Sequence, residues 1–124
     1  MKIVQIGPFP TDPKCIRGGV ESSVYGLAIE QAKSHEVHVF DFPRFNQPDI
    51  VEEINSVNVH RYTNTGKYNV SAITRLEEIL RDVEALNPDY IHIHGTGEIS
   101  AKPYLYLKKQ GYKVLLTVHG ILYV

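Results

Sequence analysis

Cysteine is almost missing from this chain: Cys15 stands alone among 124 residues. A single thiol makes neither an intrachain disulfide nor a cysteine-ligated zinc site, and it reads as a reduced thiol rather than a nucleophile. An excess of positive charge is missing too. The chain carries 13 Lys and Arg against 14 Asp and Glu, a net charge of −1, which argues against a dedicated nucleic-acid surface. No apolar run approaches the ~20 residues of a membrane-spanning helix. No leader pattern precedes the first strand, so the expectation is a cytoplasmic protein whose membrane contact, if any, is peripheral. Low-complexity segments and internal repeats are not visible. The fingerprints G-x-G-x-x-G and G-x-x-x-x-G-K-[ST] are both absent, which sets aside an ordinary dehydrogenase or P-loop ATPase.

What is present is an alternation of strands and helices in a chain long enough for one core. Residues 2–7 are mostly apolar and β-branched, without alternation, as in a central parallel strand covered on both faces. Pro8, Pro10 and Pro13 forbid regular structure up to Arg17. A helix over 19–33 follows, with Val20, Val24, Leu27, Ala28 and Gln31 along one stripe. Strands are expected over 36–42, 57–62, 90–94 and 113–119, and a short helical turn over 49–54. Ser71 is a candidate N-cap for a helix over 72–86 that buries Ile73, Leu76, Leu80 and Val83. A helix over 100–110 has Pro103 in its first turn and Gly111 at its C′ position. Right-handed crossovers make this a Rossmann-like α/β three-layer sandwich. Its parallel sheet takes the order 3-2-1-4-5, with the strands numbered along the chain.

In such sheets ligands bind outside the carboxyl ends of the strands. That rule gathers the loop 7–19, the loop 63–69, His94 and His119 at one edge. Gly18-Gly19 opens a helix, where free N–H groups and the macrodipole favour an anion and a missing Cβ lets a phosphate approach. Glu21 complements the same dipole. His119 ends an apolar strand and precedes Gly120, a place from which an imidazole can serve a sugar hydroxyl or a developing charge. His92 and His94 share a strand face, so a metal-dependent hydrolase using His92, His94 and His119 is one alternative. A non-catalytic sugar- or nucleotide-binding module is another. A receiver domain is excluded, because the first strand ends in Gly7-Pro8 rather than in an acidic cluster. The carboxylate pairs Glu52-Glu53 and Glu77-Glu78 read as solvated surface.

Four segments together resemble the N-terminal domain of retaining glycosyltransferases of family 4, with the GT-B fold. They are Gly18-Gly19-Val20-Glu21, His35-Glu36-Val37-His38-Val39, Pro88-Asp89-Tyr90-Ile91-His92-Ile93-His94 and Leu116-Thr117-Val118-His119-Gly120. The resemblance implies transfer of a hexose from a nucleoside diphosphate sugar to a glycan, lipid-linked or small-molecule acceptor, with retention and without a bound cofactor or metal. It implies that Gly18 and Gly19 approach the donor diphosphate, that the catalytic His119 contacts the donor sugar, and that His94 lies on the acceptor side. The family's second domain carries a Glu-seven-residues-Glu motif, and no Glu pair has that spacing here. Residues 1–124 are therefore expected to be a single acceptor-side domain whose C-terminal nucleotide-binding partner is absent, and to be inactive alone.

Overall fold

The computed structural model describes residues 1–45, 47–64, 75–95 and 97–118. Runs of β-branched residues form the strands β1 (Lys2–Ile6), β2 (Glu36–Phe40), β3 (Ile50–Ile54), β4 (Val57–Arg61), β5 (Tyr90–Gly95) and β6 (Val114–Val118). The helices are α1 (Gly18–Ala32), α2 (Leu76–Ala85) and α3 (Gly97–Lys109). The sheet order is β3-β4-β2-β1-β5-β6. Every pairing is parallel except β3 with β4. Without β3, this is the 3-2-1-4-5 order that the alternation implies.

The extra strand corrects the helical turn expected over 49–54. Asn55 and Ser56 both take positive φ, 48° and 70°, the geometry of a two-residue hairpin turn. That turn folds β3 back onto β4, pairing Ile54 with Val57 and Glu52 with Val59. The paired glutamates belong to an exposed edge strand, where charge discourages further pairing.

Alternation along the strands builds a core on each face. Val4, Ile6, Phe40, Ile91 and Ile93 pack with Ile79, Leu80 and Val83 of α2 and Leu107 of α3. Ile3, Val37, Val39, Val57 and Val59 pack with Val24 and Ala28 of α1 and with Phe9 of the proline loop. Full burial of each of these larger side chains contributes about 1.5–3 kcal/mol.

Helix ends depart from expectation in readable ways. α1 begins at Gly18, and its buried positions are Glu21, Val24 and Ala28. Leu27, expected inside, is 37% exposed. α2 begins at Leu76, with Arg75 at its N-cap and no side-chain cap there. Ser71 and Ile73 lie outside the described residues. Its buried positions are Ile79, Leu80 and Val83, and Asn87 at φ 49° follows its end, the left-handed stop that Asn tolerates. α3 starts three residues earlier than expected, so Pro103 sits inside the helix and not in its first turn. Gly111 does end it, at φ 96°.

Candidate functional site

Five parallel strands bring their carboxyl ends to one rim, and the loop after β1 crosses it. Gly7 opens that loop where space is shortest. A Cβ there would lie 3.0 Å from His94 Cβ and 3.2 Å from Val24 Cγ2, so α1 and β5 converge on a position where any side chain would be crowded. The sequence rule thus brings the β1 loop and His94 together as expected. His94 is buried, 2% exposed. Its Nε2 meets Gln5 Oε1 at 2.7 Å, and Gln5 Nε2 donates to Gln31 Oε1 of α1 at 2.7 Å. With the Gln5 amide oriented this way, His94 carries its proton on Nε2. His92 Nε2 lies 2.6 Å from Thr117 Oγ1 on β6, and the two imidazoles stack at 4.0 Å. Among the described residues no group of three or more His, Cys, Asp and Glu could hold a metal.

Gly18 and Gly19 are the opposite of Gly7. A Cβ at either would meet nothing within 4 Å, and Gly18 takes φ 76°. The helix therefore starts from a left-handed turn whose two glycines leave their Cβ positions open. By the rule for helix starts, its first N–H groups have no intrahelical acceptor. His119 and residues 65–69 of the second expected loop lie outside the described residues. β6, the strand before His119, pairs Val118 with Gly95 at the same rim.

A buried charge cluster holds the proline loop down, and the sequence reading did not single it out. Asp41, fully buried just past β2, accepts from Phe9 N–H at 3.0 Å and from Arg61 Nη1 at 3.0 Å. Arg61, at the end of β4, also donates to Phe9 O at 3.2 Å, Pro10 O at 2.9 Å and Glu52 Oε2 at 2.9 Å. Arg44 completes the cluster, joining Asp41, Phe9 O and Glu21. Burial pushes the Asp41 carboxyl up from its ordinary value, while Arg44, the Phe9 N–H and Arg61 pull it back. Glu21 thus does more than complement a dipole: it is 6% exposed and ion-paired. The signal that could have found part of the cluster is a charged residue directly continuing an apolar strand, as Asp41 does after Val39-Phe40.

A second cluster fixes the exit of β4. Arg75 donates to both Asp49 oxygens at 2.7 Å and to Thr63 O at 3.1 Å, pairs with Glu78, and lies 5.1 Å from the Tyr62 ring centroid. The Arg75 hydrogen bond holds the Asp49 carboxyl down at about 2. Tyr62 donates to Asp82 of α2 at 2.7 Å. An open hollow of about 910 Å³ lies at the opposite, amino edge of the sheet, lined by Asp89, Tyr90, Tyr112 and Lys113 among others. None of the expected site residues among the described residues lines it.

Residues 17–123 match the sequence model of Glycosyltransferase Family 4. A solved structure of sucrose-phosphate synthase from Thermosynechococcus elongatus is similar to this chain, with a TM-score of 0.68 at 18% identity. The similarity covers 97% of this chain and 33% of that one, so the chain spans about a third of its length. At that identity the likeness concerns the fold. No curated protein matches the chain.

Proposed function

The chain belongs to glycosyltransferase family 4, and from that premise we propose that it is the N-terminal, acceptor-side half of a retaining hexosyltransferase using a nucleoside diphosphate sugar. The observation that carries this reading is the pair of contrasting glycine sites on one rim. Gly7 is closed over by His94 and Val24, whereas the Cβ positions of Gly18 and Gly19, at a helix start, are open. A diphosphate fits the second site by charge and by shape. There the helix-start amides stabilise the leaving group, with cations supplied by a second, nucleotide-binding domain.

The acceptor, a glycan, a lipid-linked sugar or a small molecule, binds toward the end of β5. His94 shapes the floor there through its bond to Gln5, and the proline loop forms the wall. Holding both sugars in contact supplies proximity, and closure of the two domains excludes water. His119 donates to the donor sugar as an orienting group rather than an obligate base. No step calls for a metal or cofactor.

The test is a transfer assay on the protein carrying both domains, with a panel of nucleoside diphosphate hexoses and with the anomeric configuration of the product read by NMR. A retained anomer, and a large loss of turnover in His119→Ala, are expected. An inverted product overturns retention, unaltered turnover in His119→Ala removes that residue from the mechanism, and no transfer from any donor overturns the reading.

A further inference from the structure

Arg44 belongs to no strand or helix, yet it touches three separate segments of the rim. Its Nη2 donates to Phe9 O in the proline loop at 2.6 Å, to Glu21 Oε2 in the first turn of α1 at 3.2 Å and to Asp41 Oδ1 at 3.2 Å. Its Nε donates to Asp41 Oδ2 at 3.2 Å. Its backbone is fixed from the other side, the N–H by Tyr62 O at 3.1 Å and the carbonyl by Asn64 N–H at 2.9 Å. The second oxygen of Glu21 accepts from the N–H of Arg17 at 2.9 Å. Arg17 immediately precedes Gly18-Gly19. A continuous path therefore runs from the end of β2, through Arg44 and Glu21, to the entry of the glycine turn.

Arg61 makes no such link. Its partners are Asp41, Glu52 and the proline-loop carbonyls. Removing Arg44 leaves Asp41 paired with Arg61 and with the Phe9 N–H, so the buried carboxylate keeps partners and the fold keeps its anchor. What is lost is one bond to the proline loop, at Phe9 O, and the tie to α1, where Glu21 keeps the Arg17 N–H but not its ion pair.

We propose that Arg44 is the positioning residue of the glycine turn: through Glu21 it fixes the height and angle at which the first turn of α1 meets a diphosphate. It acts on the turn and not on the donor. The inference rests on the reading that this turn receives the donor diphosphate.

The experiment titrates inorganic pyrophosphate into the chain, followed by amide NMR shifts, with amide exchange of β5 and β6 reporting that the fold persists. Arg44→Gln and Glu21→Gln are each expected to weaken binding roughly tenfold, the scale of coupling within one contact network. The double variant is expected to be no weaker than either single, because both cut the same path. Arg44→Lys is expected to recover part of the loss, and amide exchange of residues 9–20 to rise while β5 and β6 stay protected. Unchanged affinity in Arg44→Gln, or additive losses in the double variant, overturns this inference alone. No pyrophosphate binding by the unaltered chain overturns the donor reading, and this inference with it.

Discussion

The face of the sheet under α1 buries polar groups in two ways. On the β2–β4 side the solution is ionic: Asp41 and Arg61 meet at 3.0 Å with side chains 0% and 2% exposed. On the β1–β5–β6 side it is neutral: Gln31, Gln5 and His94 form one hydrogen-bonded relay, and His92 reaches Thr117. Charge is used where a loop rich in proline must be tied to strand ends through its carbonyls. Amides and imidazoles are used where strand meets strand and helix. The lesson is about failure. An ionic cluster with one partner removed leaves a buried charge, while a neutral relay with one member removed leaves only an unmade hydrogen bond.

The largest effect should follow from breaking the ionic side. Asp41→Leu leaves Arg61 buried without its central partner and is expected to cost about 3–5 kcal/mol, read as a lowered midpoint in urea. The neutral side should be more forgiving. His94→Leu, which strands Gln5 Oε1, is expected to cost about 1–3 kcal/mol, and adding Gln5→Leu should cost less than the sum of the two singles, because both ends of the bond are then apolar. A double variant as costly as the sum would erase the distinction. At the junction of the two sides, Gly7→Ala forces a Cβ to within 3.0 Å of His94 Cβ. Overpacking of this kind costs about 1–3 kcal/mol. Gly7→Ala combined with His94→Gly should cost less than the sum of the two singles if that contact is the cause.

Acid should separate the two cores of the sheet. On the α2 face, His38 Nδ1 lies 2.9 Å from His60 Nε2, and His60 stacks on Phe40 at 4.1 Å. Burial, reinforced by His38, lowers His60 from 6.5 to about 4. Between those values the unfolded chain binds a proton that the folded chain refuses, so stability is fully present above pH 6.5 and falls as pH drops toward 4. Allowing for the partial exposure of this imidazole, the loss is roughly 1–2 kcal/mol. Urea midpoints at pH 7 and pH 4.5 should differ less in His60→Gln than in the unaltered chain, and an equal difference would remove His60 as the cause.

The parts of the fold legible in sequence were those set by apolar pattern. The segments around Ile3, Val37, Val59 and Ile91 are rich in β-branched residues, and their alternation with helices implied a parallel sheet and its order. β3 escaped because Glu52-Glu53 breaks its apolar run and its evidence lies in the positive φ of Asn55 and Ser56, which no side-chain pattern displays. The convergence of Gly7 with His94 followed from the rule of carboxyl ends. The Asp41–Arg44–Arg61–Glu21 cluster did not, because charged residues on strand ends and loops read as surface until coordinates join residues 20 to 52 positions apart. That His94 is buried against Gln5 was hidden for the same reason, since its partner lies 89 residues away in the chain.

The smallest expected effect lies at the rim outside both buried sides, and it tests whether burial or charge decides the cost. Asp49 accepts two hydrogen bonds from Arg75 in bidentate geometry and a third from Thr63 N–H at 2.7 Å. Those three hydrogen bonds are one fewer than the four that Asp41 accepts, but the larger difference is exposure, for the Asp49 side chain is 52% exposed. Water already solvates an exposed carboxylate and screens its guanidinium, so Asp49→Asn should cost only about 0.2–1 kcal/mol. Its carboxyl is held down at about 2, below the ordinary value of 3.8, so its contribution is present above pH 3.8 and lost as pH falls through 2. Urea unfolding of Asp41→Asn and Asp49→Asn side by side at pH 7 makes the contrast direct. A loss at Asp49 as large as that at Asp41 would mean that hydrogen-bond number, and not removal from water, sets the strength of these clusters.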